Sequence, residues 1–264
     1  MSDIETEIVK QLAKDVYSDA LKKSVIPTGN VASLIPRTIN VALSKYDVWL
    51  TKKELNIDYT KQLIAKKFID VPEDKITTPE AYVAIPAAQA ISYSIGSEEL
   101  CNMYANLLAK SMHVDTMEQV HPSFVEIIKQ LSPVDARMFD ALSEKSEIPI
   151  LDLWSVDEKS GNYIVLDTNI TGLSIAIHPL MSIAIDNLVR LGLLHAPDAV
   201  ISDDEVYRKI KSSNEYKLVA ANHRNPYRNN KTNNRLLNLT DMGKVFRSVC
   251  IVDSFPSKLP LQSY

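Results

Sequence analysis

Apolar side chains recur at helical spacing almost from the start of the chain. Over residues 4–25, Ile4, Ile8 or Val9, Leu12, Val16, Ala20 and Leu21 share one face, while Glu5, Glu7, Lys10, Lys14, Asp15, Lys22 and Lys23 lie largely on the other. That pattern predicts an amphipathic helix. Pro27-Thr28-Gly29-Asn30 ends it, because proline lacks the donor a helix needs and glycine favours turns. Helical spacing predicts further helices over 32–55 (restarted near Pro36), 58–69, 79–95, 97–113 and 116–131. Nothing before residue 132 alternates with period two for long enough to predict a strand.

The pattern changes at Ser132-Pro133, a hydroxyl N-cap followed by proline at the first helical position. Val134, Met138, Phe139, Ala141 and Leu142 continue as an apolar stripe. Residues 148–154 and 163–167 alternate as short strands around the polar turn Asp157-Glu158-Lys159-Ser160-Gly161. A helix over 179–191 closes at Gly192, the residue type a helix C-terminus favours. An extended piece at Leu193-Leu194, a polar helix over 203–212, strands over 216–220 and 236–239, and a helix capped by Thr240 complete the chain. The order helix, strand, helix, hairpin-like wing, helix is that of a winged helix-turn-helix. The expected fold is mainly α: an N-terminal helical domain over 1–130, then an α+β winged-helix-like domain over 131–264.

Composition adds a few constraints. The 264 residues are 45% hydrophobic, enough for a sizeable core without disulfides or metals, and the six glycines favour helices over tight turns. Cys101 and Cys250 are far apart and sit among apolar neighbours, as in reduced cytoplasmic proteins. The first eight residues carry Asp3, Glu5 and Glu7 and no cation, unlike a secretory signal. The two longest uncharged stretches are too polar for a membrane span, so a cytoplasmic protein with no membrane partner is expected.

Charge is unevenly distributed. Residues 206–247 hold ten Lys or Arg against Glu215 and Asp241, a net of +8 inside a chain of net −4. Within this window residues 222–235 contain Asn, Arg, Lys and one tyrosine, but no Ala, Val, Leu, Ile or Met. One reading is a basic wing on which Arg224, Arg228, Lys231 and Arg235 neutralise phosphates of DNA or RNA and Tyr227 stacks on a base. The other is a solvated loop between two strands. The helix that would enter a major groove offers only Ser182, Asp186, Asn187 and Arg190 as its main hydrophilic positions. Groove readers carry several Arg, Lys, Asn or Gln on the exposed face, so protein packing suits this helix better.

Catalytic signatures are missing: the sequence has no Gly-rich phosphate loop, GxSxG or HExxH, and no His/Cys/carboxylate spacing that suits zinc. Neither cofactor nor metal is expected, and an enzyme is the less favoured class. Glu126 lies five residues after His121, within reach of a hydrogen bond, but His121-Pro122-Ser123 reads more simply as a helix start. Arg37 and Asn40 either join helices through backbone carbonyls or line a groove.

The run His121-Pro122-Ser123-Phe124-Val125-Glu126-Ile127-Ile128-Lys129-Gln130-Leu131-Ser132-Pro133 resembles the Abi-alpha family of bacterial proteins associated with abortive infection. Similar stretches are Asp15-Val16-Tyr17, Pro36-Arg37-Thr38-Ile39-Asn40, Glu98-Glu99-Leu100 with the following Met103-Tyr104-Ala105-Asn106, residues 188–194, and Leu239-Thr240-Asp241-Met242-Gly243. The resemblance implies a phage-defence component and supplies no catalytic residues. It leaves two expectations: a non-enzymatic defence or regulatory protein that self-associates as a homo-oligomer and contacts a protein effector or phage trigger; or a nucleic-acid binder using the basic wing.

Overall fold

The computed structural model describes residues 57–69, 71–94, 96–157, 159–223 and 229–255. The helices expected over 4–25 and 32–55, with Arg37 and Asn40, lie outside the described residues. So do Arg224, Tyr227 and Arg228. The described residues form two compact units, one within Met1–Gln130 and Ser248–Tyr264, the other within Leu131–Arg247.

The first unit is helical: α1 (Ile57–Lys67), α2 (Ala81–Tyr93), α3 (Glu98–Ser111) and α4 (Ser123–Lys129). Ser97 caps α3 by accepting the Leu100 N–H, and Glu98 and Glu99 sit at the positive end of its dipole. From Met103 to Ser111 every residue of α3 is buried, the mark of a central helix. Ile64, Phe68, Ile91, Leu107, Leu108, Met112 and Phe124 fill the core, each worth roughly 1.5–3 kcal/mol on burial.

The chain returns to this unit after Ser248. Asn106 donates its amide to the carbonyls of Cys250 and Ile251 at 3.1 and 3.2 Å. Lys67 pairs with Asp253 at 2.8 Å, and Lys110 donates to the Ser254 carbonyl. Burial pulls the Lys110 ammonium down to about 8. The Phe255 ring lies 4.6 Å from that nitrogen and stacks on His113 at 4.5 Å.

The second unit begins with α5 (Pro133–Ser143), whose N-terminus is a reciprocal capping box between Ser132 and Asp135. Then come β1 (Glu147–Val156), β2 (Tyr163–Ile170), α6 (His178–Arg190), β3 (Leu194–His195), α7 (Asp204–Ser212), α8 (Asn214–Asn222), β4 (Asn229–Leu239) and α9 (Asp241–Phe246). The four strands form one antiparallel sheet in the order β2-β1-β4-β3, curled as a half-barrel. Leu151, Leu153 and Ile170 of the sheet pack with Tyr207 and Ile210 of α7 and Val219 of α8. Gly192 ends α6 at φ +72°, the left-handed conformation expected of it. Gly243 sits where a Cβ would lie 2.1 Å from the Leu193 carbonyl oxygen, so close approach, not flexibility, demands glycine there.

This architecture overturns the winged-helix expectation. The supposed wing strand over 216–220 is the body of α8, capped by Ser213, which accepts the Tyr216 N–H. Short apolar runs do not separate strand from helix by periodicity, and burial of Val219 beneath the sheet decided the matter. The Asn-rich stretch is mostly strand: Asn229 to Asn238 pair residue by residue with Val156 to Glu147 of β1. Asparagine disfavours strands, but a ten-residue ladder with the apolar β1 outweighs that preference.

Candidate functional site

β2 carries the least regular backbone of the sheet. Its register with β1 slips twice, between Leu151 and Leu153 and between Leu153 and Trp154, so β2 carries an extra residue at each slip. Asn169 takes φ +60°, a conformation asparagine tolerates better than most side chains. Its backbone N–H donates to Asp152 Oδ1 at 3.2 Å, and its side-chain amide donates to Asp186 Oδ1 of α6 at 2.8 Å. Arg235 of β4 closes the group, donating to Asp152 Oδ1 at 2.9 Å and to Asn169 Oδ1 at 3.3 Å.

A second cluster adjoins it through Asp167. His178, buried at the first turn of α6, places Nε2 2.8 Å from Asp167 Oδ1 and Nδ1 2.7 Å from Glu215 Oε1. His223 Nε2 lies 3.2 Å from the other Asp167 oxygen. Buried Glu215 also accepts the backbone N–H groups of Thr171 and Gly172 at 3.0 and 2.6 Å. Burial alone disfavours a charged imidazole, but the two carboxylates outweigh it, and the His178 pKa is raised above its ordinary value. A carboxylate on each ring nitrogen favours the imidazolium form of His178, which donates twice. The cluster ties β2, α6 and α8 together. Among the described residues no group of three or more His, Cys, Asp or Glu is placed to hold a metal ion.

α6 buries Met181, Ala184, Ile185 and Leu188, and its hydrophilic side chains bond at the margin of that face, Ser182 and Asn187 half-buried and Asp186 and Arg190 exposed. Ser182 and Asp186 meet Asn169, Asn187 donates to Asp135 Oδ2 at 2.9 Å, and Arg190 donates to Asn187. A second apolar stripe faces outward beside Asp186: Ile177, just before the helix, is 70% exposed, Leu180 46% and Ile183 62%. At the open end of β2, Tyr163, Ile164 and Val165 are 55%, 50% and 51% exposed. Successive strand residues point to opposite faces, so exposure of all three means neither face is covered there. The Tyr163 ring stacks on Trp154 at 4.2 Å.

The sequence-derived candidates fall elsewhere. Lys231 is exposed on β4, whereas Arg235 is engaged with Asp152. His121 Nδ1 contacts Ser123 Oγ at 2.6 Å and accepts the Ser123 N–H, forming the start of α4 just after Pro122. Glu126 pairs with Lys129 at 2.7 Å. Sequence reasoning missed Asp152, Asp167, Asn169, His178 and Glu215. One signal was available: Glu215 and Asp241 are the two carboxylates of a strongly basic window, and Glu215 is the buried one.

A family model described as abortive infection alpha matches residues 52–250, most of the chain. The protein belongs to the abortive infection alpha family. The family match spans all of the sheet unit and, of the helical unit, residues 52–130 and 248–250, including every residue of the two polar clusters. No curated protein matches the chain. A solved structure of an uncharacterised protein from the hydrocarbon-degrading marine bacterium Alcanivorax borkumensis SK2 is 20% identical, covering 48% of this chain and 90% of that one, with a TM-score of 0.32. At that similarity it contributes no argument about this member of the abortive infection alpha family. Among the described residues no helix is long and apolar enough to cross a membrane.

Proposed function

We propose that this abortive infection protein acts in phage defence as a non-enzymatic, cytoplasmic binding protein that first associates with a second copy of itself and then contacts an effector or phage-derived trigger. The observation that carries the reading is a second apolar stripe on α6: Met181, Ala184, Ile185 and Leu188 already fill the core side, yet Ile177, Leu180 and Ile183 face outward. Exposed apolar stripes of this kind on a folded surface mark protein contacts. Burial of both ring nitrogens of His178 against carboxylates supports binding over catalysis. A second copy is the favoured occupant because any patch meets its own image across a two-fold axis, and this stripe exposes no charged side chain between Ile177 and Ile183, His178 being buried against carboxylates.

The test is light scattering over a concentration series. The wild type is expected to dimerise, and Leu180→Glu with Ile183→Glu is expected to shift it to monomer with unchanged circular dichroism. Cells carrying that variant should lose protection against phage. A strict monomer at every concentration overturns the reading.

A nucleic-acid role draws support from one described feature, the exposed Lys231 beside the window of net +8. Its test is a low-salt binding assay with the triple variant Arg224→Ala, Arg228→Ala, Lys231→Ala, leaving Arg235 to hold Asp152. Binding by the wild type with a steep salt dependence, flattened in the variant, establishes that role.

A further inference from the structure

We infer that β2 is the strand through which two copies pair, antiparallel about a two-fold axis at Ile164, joining two four-stranded sheets into one. The inference rests on the self-association proposed above and names its geometry.

Backbone hydrogen bonding is the first reason. β2 ends the strand order, so among the described residues no strand lies on its outer side. An edge of this kind is a template for another strand unless it is defended. The usual defences are lysine, proline, a β-bulge or a charged residue pointing into the path of an incoming chain. β2 has no lysine, arginine or proline, both its bulges fall after Val165 and leave Tyr163, Ile164 and Val165 regular, and its one charged side chain, Asp167, is drawn inward by His178 and His223. Tyr163, Ile164 and Val165 are strong strand formers, all half-exposed.

Self-complementarity is the second reason, and it selects a second copy over a foreign strand. Centring the pair on the middle of the three exposed residues sets Ile164 against Ile164 of the second copy and Tyr163 against Val165. None of the three residues is charged, so the two copies bring no like charges face to face. A β-branched pair at the axis flanked by aromatic and β-branched pairs is a favourable cross-strand set. The polar clusters add to the surface: the 2.8 Å contact between His178 and Asp167 seats the start of α6 beside β2. The apolar stripe that begins at Ile177 therefore starts next to the same edge.

The experiment combines a charge substitution with cysteine pairing. Ile164→Lys places two ammonium groups opposite each other and is expected to weaken dimerisation about 100-fold, since like-charge juxtaposition is costly. Ile164 is half-exposed, so the variant should keep its melting temperature, and Ile164→Val should dimerise as wild type. Under mild oxidation Ile164→Cys should form a disulfide-linked dimer. Tyr163→Cys and Val165→Cys should each link poorly alone and efficiently when mixed. Native Cys101 and Cys250 are buried, so the background is low. A dimer that survives Ile164→Lys and gives no such cysteine pattern overturns β2 pairing but leaves α6-mediated association standing. A protein monomeric throughout overturns both.

Discussion

The strands β2 and β4 flank β1 and expose opposite chemistry. β2 turns its polar residues inward, Asp167 to two histidines and Asn169 to Asp152 and Asp186, and leaves Tyr163, Ile164 and Val165 outside. β4 buries Leu236 and Leu237 and leaves Asn230 and Lys231 outside. On its far side β3 pairs only with Asn238 and Leu239, yet lysine and asparagine make the remaining edge a poor template, and the Tyr207 hydroxyl donates to the Arg235 carbonyl. One edge is defended along its length, the other only beyond Val165, where its bulges lie.

The comparison can be broken at its anchor first. His178→Ala leaves Glu215 buried without its imidazolium and should cost about 3 kcal/mol, read from urea denaturation. Because the folded pKa is raised, the imidazolium contributes in full below the unfolded value of 6.5 and fades as pH rises through the folded one. The variant should therefore lose more stability relative to wild type at pH 6 than at pH 9. An equal loss at both would show that the ring acts by packing alone. Gly243→Ala should cost a similar amount, about 2–3 kcal/mol, because its methyl meets the Leu193 carbonyl. That loss should leave the pH profile unchanged.

Making the two edges alike comes next. Replacing Asn230 and Lys231 with valine removes the defence of β4 and should produce species larger than a dimer in light scattering, with little change in secondary structure. If assembly stops at the dimer, Lys231 was not the guard. The smallest effect is expected from Lys231→Ala, within about 0.5 kcal/mol of wild-type stability because it is an exposed position away from any network.

Several of these features were legible in the sequence. Ser132-Pro133 marked the start of α5 and Gly192 the end of α6, since both act through a single residue's backbone and hydroxyl chemistry. The β1–β2 hairpin was visible from alternation and a polar turn, and α3 from helical spacing. The hydrophilic positions read on α6, Ser182, Asp186, Asn187 and Arg190, lie away from its buried apolar face, where Ser182, Asp186 and Asn187 bond to Asn169 and Asp135. What helical spacing left open is that apolar residues occupy two faces of this helix, one in the core and one, with Leu180 and Ile183, outside.

Local signals alone determined where elements begin and end, that the chain carries a basic segment near its C-terminal end, and that it resembles the abortive infection family. Strand partners, the exposure of Leu180 and Ile183 on α6 and the joining of Asp167, His178 and Glu215 were decided only by tertiary structure. A cap or a turn depends on residues within a few positions of one another. A buried ion cluster depends on side chains as far apart as Asp152 and Arg235, and its desolvation is offset only when all of them arrive together.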